Sequence, residues 1–131
     1  MYVDSSAILS ILLGEEDAKQ VSCKIDEAKT RLSTSPISVV EATLNLARET
    51  DTPIMEAHEM VLQFLDAARI IQISMTPEMG RKALEAYATY GRGSGSKARL
   101  NLGDVFSYAA AKSLRVPLLY KGQDFVHTDL G

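Results

Sequence analysis

Tyr2-Val3-Asp4-Ser5-Ser6-Ala7 decides the architecture. Two strand-forming residues run directly into Asp and Ser, the types that satisfy the free amides at a helix start. The segment predicts a short first strand passing into a helix, with Asp4 at the strand's carboxyl end. Working outward, Glu15 to Ala28 carries Ala18, Val21, Ile25 and Ala28 at helical spacing, the pattern of an amphipathic helix covering a sheet. Arg31-Leu-Ser-Thr34 predicts a second strand. Ser35-Pro36 then offers an N-cap and a proline at the first helical position, opening a helix through Glu41 to about Glu49.

Thr52-Pro53 repeats that signal, and Ile54, Ala57, Val61, Phe64, Leu65 and Ala68 form one apolar stripe along the next helix. Ile70 to Ile73 reads as a buried strand. Thr76-Pro77 opens a helix ending near Gly91, where Gly-Arg-Gly-Ser-Gly-Ser-Lys97 starts a loop. A helix from about Gly103 to Leu114 and a strand at Val116-Pro-Leu-Leu-Tyr120 complete the chain. Strands alternating with helices predict an α/β fold, a mostly parallel sheet flanked by helices. Ligands of such sheets gather beyond the carboxyl ends of the strands, where Asp4 and the stretch after Tyr120 lie.

The 131 residues, 46% hydrophobic, support one domain over residues 1–131 with its own core. A single cysteine, Cys23, excludes an internal disulfide and a multi-cysteine zinc site, and points to a reducing cytoplasm. No apolar run approaches the roughly 20 residues that span a bilayer, and the first residues lack a secretory signal, so a soluble cytoplasmic protein is expected. The formal charge of −3 becomes +1 without Asp4, Glu41, Asp104 and Asp124. A phosphate-bearing substrate is therefore compatible with the charge balance.

Each of those four acids has a plain alternative. Asp4 and Asp104 sit where helix N-termini favour an acid, and Asp124 lies in a turn-like segment, Lys121-Gly-Gln-Asp-Phe125. Glu41 has Ile37, Val40 and Leu44 at i−4, i−1 and i+3, which marks its side of the helix as apolar and calls for a partner, either Arg48 or a metal. Together, the four start or follow elements that an α/β fold brings to one sheet edge. Such a cluster stays ionised only beside cations. Oxygen ligands without a histidine or cysteine set favour Mg²⁺ or Mn²⁺ over zinc; His58 and His127 are isolated.

Val-Asp-Ser-Ser-Ala-Ile8, Ser38-x-x-Glu41, Asn101-Leu-Gly-Asp-Val-Phe-Ser-Tyr-Ala-Ala-Ala-Lys112 and Leu-Leu-Tyr-Lys-Gly-Gln-Asp124 together resemble the PIN-domain ribonuclease toxins of the VapC type. The resemblance runs from the first strand to the last residues. It implies a PIN-like three-layer α/β domain and an endoribonuclease in which Asp4, Glu41 and Asp104 hold a divalent ion. Asp124 completes that site, with Asp129 close enough to compete for the place, and Ser6 supports it. The resemblance also implies an RNA substrate, a cognate antitoxin, a homodimer and operator DNA bound through the antitoxin complex.

Arg92, Lys97 and Arg99 make the 91–100 loop basic, either to hold an RNA backbone or as a solvated flexible loop. The stripe from Ile54 to Ala68 is either core or part of a groove or dimer surface. Among rivals, a phosphoacceptor domain gives no reason for Glu41, and an Asp-x-Asp phosphatase is disfavoured by Ser6 two residues after Asp4. A catalytically silent PIN-like RNA-binding or interaction module is the alternative that stands.

Overall fold

The computed structural model describes all residues from Met1 to Gly131. In chain order it contains β1 (Tyr2–Val3), α1 (Ser5–Leu12), α2 (Ala18–Asp26), β2 (Ser33–Thr34), α3 (Pro36–Thr50), α4 (Ile54–Ala67), β3 (Ile71–Gln72), α5 (Pro77–Tyr90), α6 (Leu102–Leu114) and β4 (Leu118–Leu119). Helix starts follow the capping signals. Asp4 caps α1, Ser35 caps α3 and Thr76 caps α5, the last two with proline in the first turn.

Every strand pair is parallel, in the order β3-β2-β1-β4. The chain leaves β1 to build β2 and β3 on one side, then returns to the other side with β4. That reversal is a topological switch point, and it opens a crevice beyond the carboxyl ends of β1 and β4. The sheet is the middle of three layers. Neighbouring residues of a strand face opposite ways, so Val3 and Leu119 enter the core shared with α1 to α4, while Tyr2 and Leu118 enter the one shared with α5 and α6.

Two expectations change, at β3 and at Glu41, and the alternative left open for the α4 stripe is resolved. β3 is an exposed edge strand rather than a buried one; only Ile70 just before it is in the core, because no strand lies beyond β3. The α4 stripe is core at Ala57, Val61 and Leu65, whereas Ile54 at its start is exposed. On α3, Val40 and Leu44 are about half exposed and the core face is Val39, Ala42, Thr43 and Leu46, so Glu41 does not sit on a core-facing stripe. Helix α6 packs against α5, α3, β1 and β4 and buries Tyr108 along with Asp104, Ser107 and Ala111.

Candidate active site

Asp4 stands at the switch point because β1 ends there and α1 begins. Its amide donates to the Leu119 carbonyl of β4 (2.9 Å), so both strands fix its backbone. The residue is 3% exposed. One oxygen accepts from the Ser6 amide (3.0 Å) and the Ser6 hydroxyl (2.6 Å), and the other accepts from the Ser107 hydroxyl of α6 (2.5 Å). Behind Ser107 a file of buried hydroxyls continues through Ser38 (3.4 Å) and the Tyr2 phenol (2.8 Å) to Ser35 (2.7 Å).

Asp104 occupies the first turn of α6 as half of a capping box: it accepts from the Asn101 amide (3.0 Å) while Asn101 accepts from the Asp104 amide (2.9 Å). The capping alternative is therefore real, and it accounts for only one of the two carboxylate oxygens. Burial pushes the Asp104 carboxyl up to about 7, against the lowering effect of the Asn101 amide and with the help of the nearby charges of Asp124 and Asp4. Glu41 reaches in from α3. Burial, then the Asp4 charge, raises its carboxyl to about 6, opposed only by the Ser5 hydroxyl at 3.4 Å. Its carboxylate lies directly over Gly103, where an added Cβ would come within 2.0 Å of Oε2. Asp124 lies in the exposed turn after β4, close enough for its charge to help raise the Asp104 carboxyl.

The crevice thus links the acids in pairs: Glu41 with Asp4, Asp4 with Asp104, Asp104 with Asp124. None of the four forms an ion pair with a lysine or arginine. Arg48, the plain partner for Glu41, instead bonds Asn45 and approaches Glu49 at 3.8 Å. Lys121 pairs with Glu15 at 2.7 Å, and its amide donates to Ser6. Asp129 is taken by Lys112 (2.7 Å) and the Tyr108 hydroxyl (2.6 Å), which hold its carboxyl below the usual range, while the charge of Asp124 reaches Asp104.

No three His, Cys, Asp or Glu side chains stand close enough to enclose an ion as they are. The donor chemistry fits such an ion: carboxylate oxygens without basic partners, supported by hydroxyls and amides, suit Mg²⁺ or Mn²⁺. Sequence reasoning overlooked Ser107, Asn101 and Gly103 as site-builders. The N-x-x-D spacing of Asn101 and Asp104 is a legible capping signal; the contact of Ser107 with Asp4 spans 103 residues and has no local signature.

The PIN domain family model matches residues 1–130. The chain belongs to the PIN domain family. Within it, the chain is 37% identical to a VapC ribonuclease of Rhizobium meliloti, covering 99% of both proteins. It is 39% identical to Ribonuclease VapC42 of Mycobacterium tuberculosis, over 99% of this chain and 96% of that one. The PIN domain is also similar in fold to the crystal structure of Mycobacterium tuberculosis VapC20, described as a sarcin-ricin loop cleaving toxin. The TM-score is 0.74 at 14% identity, covering 95% of this chain and 92% of that one.

Proposed function

We propose that this PIN domain is a divalent-metal-dependent endoribonuclease, the toxin of a toxin–antitoxin pair, acting through Asp4, Glu41, Asp104 and Asp124. The observation that carries the reading is Asp104, buried beside Asp4 and Asp124 with its carboxyl raised to about 7 and no basic partner. Such a group burdens the fold unless positive charge arrives, and Mg²⁺ or Mn²⁺ is the charge that oxygen donors select. The relatives named VapC ribonuclease support RNA as substrate, and VapC20, described as a toxin, supports an antitoxin partner.

When bound, the ion supplies Lewis acidity to the phosphoryl oxygens and lowers the pKa of water. The chain's residues do the rest. Ser6 and Ser107 fix the two oxygens of Asp4, so its free lone pairs keep one direction into the crevice. Asp4, Glu41 and Asp104 would hold the ion, and Glu41 and Asp104, whose carboxyls are both raised, would favour binding it as carboxylates, so that its uptake would be linked to proton release. Hydrolysis adds water to phosphorus in line with the leaving ribose oxygen and breaks that P–O bond.

The antitoxin covers the crevice and blocks the acids. An apolar groove of about 330 Å³ between α5 and α6, lined by Leu84, Tyr87, Leu102 and Phe106, supports a homodimer there rather than on the α4 stripe. Operator DNA is contacted through the antitoxin complex, and the protein works in the cytoplasm. No helix is long and apolar enough to cross a membrane.

RNA ends are sequenced after controlled expression of wild type and Asp4→Asn. New ends in the wild type alone are expected; identical end profiles in the two strains remove the nuclease reading. A second reading, a catalytically silent RNA-binding module, draws on the absence of a ready-made three-ligand set. A silent domain shows no Mg²⁺- or Mn²⁺-dependent thermal stabilisation that Asp4→Asn and Asp104→Asn abolish.

A further inference from the structure

The 91–100 loop is built, not slack. Gly91 and Leu100 form a bridge, with the Arg92 amide donating to the Leu100 carbonyl (3.2 Å) and the Leu100 amide to the Tyr90 carbonyl (2.9 Å). Within it, the Ser94 hydroxyl donates to the Gly91 carbonyl (2.6 Å) and accepts from the Ser96 amide (3.2 Å). The Ser96 hydroxyl accepts from the Ala98 amide (3.1 Å). Ala98 and Leu100 are buried in the core beside α5 and α6. Between them Arg99 adopts a left-handed backbone, φ 51°, and is exposed. That conformation is costly for a non-glycine residue and persists where its surroundings enforce it.

Arg92, Lys97 and Arg99 are all exposed and none pairs with a carboxylate. They line a cleft of about 390 Å³ whose opposite wall is Gln123, Asp124 and His127. We propose that this cleft binds the sugar-phosphate backbone of a single-stranded RNA beside the scissile bond, through Arg92, Lys97 and Arg99. The proposal rests on the ribonuclease reading and adds to it where the strand runs. Asp124 belongs both to the cleft and to the acid crevice, so a strand held by the three cations continues onto the carboxylates. Guanidinium forks match phosphate oxygens in pairs. The only apolar lining is Ala98 and the only ring is the His127 imidazole on the wall facing the cations, so what Arg92, Lys97 and Arg99 read is backbone charge and not base identity.

The triple variant Arg92→Gln/Lys97→Gln/Arg99→Gln leaves the loop's internal hydrogen bonds untouched, and thermal unfolding checks its fold. Binding of fluorescent oligouridylate and oligoadenylate is measured in an Asp104→Asn background against salt. For single strands each phosphate contact contributes about 0.7 to the log–log slope. Losing three contacts flattens the slope by about 2, so a fourfold rise in salt costs the variant about 20-fold less affinity than it costs the parent. The same flattening with both oligonucleotides is expected. With the acids intact, the triple variant should raise KM on a long RNA and leave kcat unchanged.

An unchanged slope with normal cleavage overturns the cleft assignment and leaves the nuclease intact. A flattened slope in a protein that cleaves no RNA keeps the cleft and removes the nuclease. Competition by a polyglutamate peptide as strong as by an oligonucleotide of equal charge overturns the RNA assignment in favour of an acidic protein partner.

Discussion

Gly103→Ala separates stability from activity at this site. An added Cβ would lie 2.0 Å from Glu41 Oε2 and 2.4 Å from its Cδ and Oε1, with no backbone atom among those contacts. The obstacle is the end of a flexible side chain, so Glu41 swings out and the helix stays. Alanine in place of glycine in a helix contributes roughly 0.5–1 kcal/mol. Releasing Glu41, whose carboxyl is raised from 4.5 to about 6, recovers a further ~1 kcal/mol after discounting for its partial contact with solvent. The metal-free variant is therefore expected to be about 1–2 kcal/mol more stable at pH 7.5 by urea unfolding. Mg²⁺ at a hundredfold excess over Kd stabilises a binding protein by ~2.7 kcal/mol; the variant loses about 1.4 kcal/mol of that gain for each tenfold drop in affinity. RNA cleavage should fall at least tenfold. Cleavage and Mg²⁺ stabilisation both equal to wild type would show that the place of Glu41 over Gly103 is no part of the site. A loss of more than about 2 kcal/mol would show that backbone, not side chain, had to yield.

Three further outcomes follow from the same geometry. Asp104 and Glu41 both bind their protons more tightly folded than unfolded, so metal-free stability falls as pH rises from about 4 to about 7; Asp104→Asn should remove the Asp104 share of that decline in EDTA and leave the Glu41 share, gaining on the order of 2 kcal/mol at pH 8 and nothing at pH 4, as read by urea titration. Ser107→Ala leaves one oxygen of the buried Asp4 carboxylate without its donor, which should cost ~1–3 kcal/mol in unfolding experiments and lower cleavage, with Ser107→Thr restoring much of both. Arg48→Ala, at an exposed side chain paired away from Glu41, should change stability by less than about 0.5 kcal/mol and leave the cleavage rate alone.

The layer architecture was legible because capping is local chemistry: Ser35-Pro36 and Thr76-Pro77 mark helix starts within a few residues, and the structure places α3 and α5 there. The position of Asp4 and of the 120–124 segment at one crevice follows from alternation of strand and helix and needed no long-range information. Strand extent was less legible. The named strands are two residues long, too short for a period-2 pattern, and Ile70 to Ile73 looked buried because edge position depends on strand order. The apolar neighbours of Glu41 misled for a related reason: Val40 and Leu44 are hydrophobic yet exposed, and which face of α3 meets the core is decided by α1 and α4. Glu41 is nonetheless beside Asp4, drawn there by the crossing of α3 and α6 over Gly103.

The file of hydroxyls beneath Asp4 carries a constraint in the counting of its protons. Each hydroxyl has one hydrogen to give. Ser107 gives its hydrogen to Asp4, and Tyr2 gives its own to Ser35. The 2.8 Å link between Tyr2 and Ser38 is then supplied by Ser38, which leaves no hydrogen for the step between Ser38 and Ser107. That step is the longest in the file, at 3.4 Å. The row is therefore polarised in two halves that meet between α3 and α6, and the negative charge on Asp4 sets the direction of the half it touches.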